Sequence, residues 1–175
     1  MVNDNFNYST SHTDDVPVWQ QPEIIRWMQI VADSYQQLLG KSLINTIGVI
    51  DAMETPEQLS QAFFQAPFVL VSHGTQANPI FNYGNQTALQ LWSLSWDEFI
   101  QTPSADSAEP IAREERSIML QQASEQGYIE NYQGVRISNK GKRFLIKQAT
   151  LWNLTDESGQ KCGQAATFPS WEWLQ

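Results

Sequence analysis

The sequence has a single cysteine, Cys162, and two histidines, His12 and His73. A lone thiol excludes an internal disulfide and any multi-cysteine zinc site, and two imidazoles are too few for a histidine-based metal cluster. Positive charge is scarce too: 10 Lys and Arg stand against 19 Asp and Glu, for a formal net charge of -9. Nucleic acid and anionic lipid both reward clustered cations through counterion release, so neither is an expected partner. The one local basic group, Lys140, Lys142, Arg143 and Lys147 with Arg136 nearby, reads as a solvated strand face or hairpin rim rather than a phosphate site. No run reaches the roughly 18 apolar residues of a membrane span. The polar start MVNDNFNYSTSHTDD has neither a basic n-region nor an apolar h-region, so a cytoplasmic protein is expected.

What is present suits one globular core. Apolar residues make up 41% of the 175 and charged residues 17%, and seven tryptophans supply large surfaces to bury. Residues 1–21 lack periodicity and predict a disordered tail, followed by a helical extension over 22–66 and the main domain over 67–175. Pro22 opens a helix whose apolar residues, Ile24, Ile25, Met28, Val31, Tyr35, Leu38 and Leu39, recur at helical spacing before Gly40. Thr55, Pro56 and Gln58 form a capping box for a second helix that ends before Pro67. "FVLVSHG" and "PIFNYG" predict a strand hairpin, after which Asn85 caps one short helix and Ser95 with Glu98 caps another. A longer helix runs from Pro110 to Gly127.

Three antiparallel strands close the chain, at about 128–138, 142–155 and 161–168, joined by the turns "SNKGK" and "TDESGQ". Strict alternation in the middle strand puts Phe144, Ile146, Gln148, Thr150, Trp152 and Leu154 on one face, with Arg143, Leu145, Lys147, Ala149, Leu151 and Asn153 on the other. Both faces are partly apolar, which predicts short helices covering one and the N-terminal helix covering the other.

The order of these elements resembles the PAS fold. "FVLVSHGTQANPIFNYGNQTALQLW", "WDEF", "PSADSAEP", "REER", "GYIENYQGVRISNKGKRFLIKQATLWNL" and "GQAATF" with a Trp three residues on are similar to stretches of the MEKHLA family. That family is PAS-related and occurs at the C-terminus of plant homeodomain-leucine zipper proteins and as stand-alone bacterial, often cyanobacterial, proteins. The resemblance implies an α+β fold with a five-stranded antiparallel sheet, short helices on one face and an N-terminal helical extension. It also implies a stand-alone cyanobacterial member with a role in sensing or partner binding, and it names no cofactor. The Asn-Cys-Arg-Phe-Leu-Gln helix of light-sensing flavin PAS proteins has no counterpart here. Haem-binding PAS domains usually offer a histidine from the helix facing the cavity, and the helix ending at Gly127 has none, so haem is not expected unless His73 points inward.

In a PAS cavity the polar residues of the concave sheet face must find partners or a ligand, and Gln148, Thr150 and Gln164 are the expected contacts. Trp92 and Trp152 add stacking area. The alternative is that these residues bond one another or buried water and fill the cavity. Arg113, in a charge run with Glu114, Glu115 and Arg116, reads either as part of a solvated helix face or as a clamp for a ligand carboxylate. Ser72 and His73 adjoin in a strand and so point to opposite faces, which leaves His73 as a structural residue and no catalytic residue assigned. The first functional expectation is therefore a non-catalytic sensory or interaction module that binds a small apolar or aromatic ligand. It would form a homodimer through its N-terminal helix and pass its output to a separate effector protein. The alternatives are an isomerase- or hydratase-type enzyme using the same cavity, and a ligand-free dimerisation scaffold.

Overall fold

A computed structural model describes residues 16–46 and 55–175. The expected tail falls mostly outside that range. Its last residues are ordered, because Val18–Gln20 form a 3-10 turn whose Trp19 carbonyl accepts a bond from Ser60 Oγ at 2.8 Å.

Local signals place the helices. Helix α1 (Pro22–Leu39) starts at its proline and stops at Gly40, and α2 (Leu43–Thr46) follows. The Thr55–Gln58 capping box starts α3 (Pro56–Phe64). Strands β1 (Val69–His73) and β2 (Phe81–Gly84) form the expected hairpin. Asn85 then caps α4 (Gln86–Trp92), and Ser95 with Glu98 boxes α5 (Trp96–Phe99). Gly84 is required by space: a Cβ there would sit 2.6 Å from the Phe99 ring. Helix α6 (Pro110–Gln126) leads into β3 (Tyr128–Ile137), β4 (Arg143–Thr155) and β5 (Lys161–Phe168).

The sheet order is β2-β1-β5-β4-β3, antiparallel at every pairing. A sixth short strand, β6 (Ser170–Trp173), continues beyond Pro169 along the same edge of β4 that β5 pairs with. Proline lacks the N–H that would carry the ladder through this point, and the last strand is divided there.

Both faces of the sheet are covered. The outer face takes the apolar stripe of α1, where Ile24, Met28, Val31 and Tyr35 are buried with Phe63 of α3 against Leu70, Trp152, Leu154 and Ala165. The inner face packs Ala88, Leu89, Leu91, Trp92 and Phe99 against Phe144, Ile146, Ala149, Leu151 and Phe168. Of the apolar residues of α1, Ile24, Met28, Val31 and Tyr35 are thus buried within the chain's own fold, while Ile25, Leu38 and Leu39 are half-buried.

The alternation expected for β4 does not survive. Gln148 has a φ of 53°, and between the pairs Tyr132↔Ala149 and Gly134↔Ile146 the β4 strand carries one extra residue. An extra residue in a period-two strand swaps the faces beyond it. Phe144 and Ile146 face inward before the bulge, while Ala149 and Leu151 face inward after it. Trp152 and Leu154 therefore turn to the outer face, against α1. A compensating irregularity lies in β3, where Asn131 has a φ of 56° and the pairing slips between Ile129 and Tyr132. Asparagine tolerates that left-handed conformation better than most residues.

Candidate ligand-binding site

Between the inner face and α6 lies a cavity of about 60 Å³ open to the centre of a water-sized sphere. At roughly 10–15 Å³ per water on that measure, it has room for about four to six waters. Most of its wall is apolar: Phe81 and Trp92 on one side, Met119 and Leu120 of α6 above, and Ile146, Leu151 and Phe168 from the sheet. Trp92 is held by edge contacts to Phe144 and Phe99, with ring centroids 5.3 and 6.0 Å away. Its indole Nε1 is buried and has no acceptor among the described residues.

Two of the polar residues of the wall, Tyr132 and Arg136, come from β3. Past the slip near Asn131, Tyr132, Gly134 and Arg136 share the face that pairs with Ala149, Ile146 and Phe144, which is the inner face. Arg136 is only 7% exposed. Its Nη1 donates to Val135 O at 2.8 Å and its Nη2 to Tyr132 Oη at 3.1 Å, and the guanidinium carbon lies 5.5 Å from the Tyr132 ring centroid. The residue between them has to be glycine. A Cβ at Gly134 would collide with the Tyr132 hydroxyl and come within 2.9 Å of Arg136 Nη1. Arg136 forms no ion pair among the described residues, and no Asp or Glu lines the cavity.

The other polar residues of the wall are Ser72 and His73 of β1, Ser107 ahead of α6, and Gln164 of β5. His73, 8% exposed, donates from Nδ1 to the Gly74 carbonyl at 2.7 Å, since a carbonyl can only accept. Gln164 Nε2 donates to Leu120 O at 3.3 Å and to Asn153 Oδ1 at 3.0 Å, which ties α6 to the sheet at the cavity rim. The expected divergence of Ser72 and His73 is observed: Ser72 Oγ accepts from Trp27 Nε1 of α1 at 2.8 Å, on the other side of the sheet.

Of the residues expected to contact a ligand, Trp92 and Gln164 line the cavity. Gln148, Thr150 and Trp152 do not. The bulge leaves Gln148 exposed and turns Thr150 and Trp152 to the outer face, where Trp152 Nε1 donates to Val31 O at 3.2 Å. Arg113 is also away from the cavity, at the start of α6. There its Nε donates to Ala108 O at 3.2 Å and its Nη2 lies 3.7 Å from Asp106, with the side chain 45% exposed. Arg136, expected on a solvated strand face, is instead buried in the cavity wall. Its neighbours in that basic group do face solvent: Lys147 pairs with Glu172 and Arg143 with Glu109, each at 2.5 Å. The signal for Arg136 was available in the alternation of Tyr132, Gly134 and Arg136, whose small middle residue gives the two long side chains room to meet.

The cavity does not suit the large cofactors of related folds. It is far too small for a tricyclic flavin or a haem. Cys162 sits on the outer side with the α1 cluster, and burial together with the charge of Asp156 pushes its thiol pKa up, away from a reactive thiolate. Among the described residues no group of three or more His, Cys, Asp or Glu could hold a metal ion, and no helix is long and apolar enough to cross a membrane.

Comparison with known proteins places this geometry. A family model for the MEKHLA domain matches residues 25–173, which include most of α1 as well as the sheet. Comparison with curated protein sequences finds no match. Among solved structures, the PAS domain of a protein from Colwellia psychrerythraea superposes with a TM-score of 0.57 at 18% identity, over 67% of this chain and 95% of that one. A light-oxygen-voltage domain studied with a flavin analogue gives 0.54 at 15% identity, over 73% of this chain and 89% of that domain. An RNA-binding light-oxygen-voltage receptor gives 0.52 at 15% identity, over 69% of this chain but 34% of the receptor. These likenesses show a common PAS fold, and at such identities nothing of the neighbours' chemistry comes with it.

Proposed function

Because the chain belongs to the MEKHLA domain family, a PAS-related family, we propose that it is a non-catalytic sensory module whose signal is a small molecule bound between the sheet and α6. The observation that supports this most is the composition of the cavity: a mostly apolar chamber with a few polar side chains set in it, among them the buried pair Tyr132 and Arg136 of β3, the arrangement that fixes a ligand's orientation while burying its surface. Output would pass through the sheet to α1. Leu151 lines the cavity and its neighbour Trp152 packs under α1, so a ligand that displaces β4 alters the seat of that helix. The effector that reads such a change would be a separate protein, with the protein acting in the cytoplasm.

Filling the cavity tests the reading. Ala166 lines it from β5, opposite Leu151, and Ala166→Leu places three carbons in the space. Native mass spectrometry and thermal-shift screening with a metabolite library are expected to show a ligand-dependent rise in melting temperature for the wild type. That rise should be absent in Ala166→Leu, whose ligand-free melting temperature stays within a few degrees. A wild type that responds to no compound, or a response that Ala166→Leu leaves intact, would remove the cavity from the account.

A further inference from the structure

The cavity wall contains an arginine with too few partners for its burial. A guanidinium carries five N–H donors, and Arg136 places two of them on protein acceptors, the Val135 carbonyl and the Tyr132 hydroxyl. Neither acceptor is charged. A buried cation is normally paired with an anion, because removing it from water is costly unless an opposite charge and further hydrogen bonds replace the solvent. Among the described residues no carboxylate takes that place, and the cavity wall holds no acidic residue. The Tyr132 oxygen accepts from Arg136, which leaves the phenol hydrogen to donate elsewhere. Close by in the same wall, the Trp92 N–H is a further buried donor without an acceptor.

Around Arg136, Tyr132 and Trp92 donors therefore outnumber acceptors, in a chamber that is mostly apolar and whose other polar residues are Ser72, His73, Ser107 and Gln164. This is the complement of a small molecule with a planar anionic head and a short apolar body. Resting on the ligand-binding reading given above, we propose that the cavity recognises a short monocarboxylate, its carboxylate held by the free edge of the Arg136 guanidinium and by the Tyr132 hydroxyl. Size points to the class, since space for about four to six waters suits an acid of about two to four carbons better than a fatty or aromatic acid. The apolar wall formed by Ile146, Leu151 and Phe168 favours an alkyl or keto body over a purely inorganic anion. Nitrate and bicarbonate share the planar head and are the competing source of the same chemistry. Gly134 belongs to the device, because only a residue without a side chain lets Tyr132 and Arg136 close over it.

The test uses the full chain in a buffer whose ionic strength is held constant with sodium chloride. Melting temperature and isothermal titration are followed against sodium acetate, propionate and pyruvate, against sodium nitrate and bicarbonate, and against acetamide as the neutral isostere. Saturable binding of at least one carboxylate is expected, with acetamide inert. Arg136→Met should weaken that binding by about tenfold or more, since it removes a charge-assisted, bidentate contact, and Arg136→Lys should weaken it less. Arg136→Met should also melt at or above the wild type without ligand, because it removes an unpaired buried charge. Binding of nitrate or bicarbonate but of no carboxylate overturns the carboxylate assignment. A neutral library compound that binds equally well to wild type and Arg136→Met overturns the anion inference while leaving the cavity reading standing. If no anion and no neutral compound binds, both fall.

Discussion

Trp152→Ala is expected to destabilise the protein by about 4 kcal/mol, the middle of the range for truncating a large buried aromatic. Trp152 has no exposed surface, meets the Tyr35 ring edge-on at a centroid distance of 5.0 Å and donates its indole N–H to the Val31 carbonyl of α1. Truncation would open a cavity between α1 and β4 and leave that contact unmade. A domain of this size has a total stability of only about 5–15 kcal/mol, so the loss should appear as a fall in melting temperature well beyond 5 °C and a much lower urea midpoint. Trp152→Phe keeps a ring beside Tyr35 but loses the indole N–H, and should cost about 1–2 kcal/mol. Had Trp152 faced the ligand cavity instead, its removal would alter ligand response with little effect on how α1 docks. Protection of α1 amides from hydrogen exchange separates the two, and it is expected to drop in Trp152→Ala.

Asn85→Ala should cost a similar amount, about 3–5 kcal/mol, although the side chain is small. Its Oδ1 accepts from Leu70 N and Ala88 N, both at 3.1 Å, and its Nδ2 donates to Phe63 O at 3.1 Å and Phe68 O at 2.8 Å. One fully buried amide thus joins the end of α3, the entry to β1 and the first turn of α4. Deleting it strands backbone groups on all of those segments where water cannot replace it. Asn85→Asp should be no milder, because a carboxylate keeps the acceptor but turns an oxygen toward the Phe63 and Phe68 carbonyls. Urea unfolding followed by circular dichroism measures both variants, and a midpoint for Asn85→Asp near that of the wild type would show that the donated bonds matter little.

The contrast between these residues explains how much the sequence disclosed. Asn85 was legible as a helix cap, since Asn before "QTALQLW" is a local signal with a local cause. So were the Thr55–Gln58 and Ser95–Glu98 boxes, the hairpins and the PAS-like order of elements. The wider role of Asn85, tying α3 and β1 together, depends on residues up to 22 positions away and leaves no mark in the local pattern. Face assignment failed at Gln148 for a related reason. Nothing in "FLIKQATLW" announces an extra residue, because Gln is a poor candidate for a left-handed conformation, and the bulge is stabilised by what packs on either side of it. Once the parity slipped, Thr150 and Trp152 left the cavity side and Leu151 entered it. Arg136 was obscured by its company: Lys140, Lys142, Arg143 and Lys147 do face water, and charge alone could not tell the inward member from the outward ones.

Fluorine NMR of the protein labelled with 5-fluorotryptophan tests the central claim, that a small molecule is received between the sheet and α6. The chain's seven tryptophans report on different places, with Trp92 in the cavity wall and Trp152 under α1. During titration with a ligand that raises the melting temperature, the Trp92 resonance is expected to move first in magnitude and to saturate, with a smaller response at Trp152 as the sheet adjusts. Saturable movement at Trp152 or Trp27 with Trp92 unchanged would place the ligand on the other side of the sheet and contradict the account.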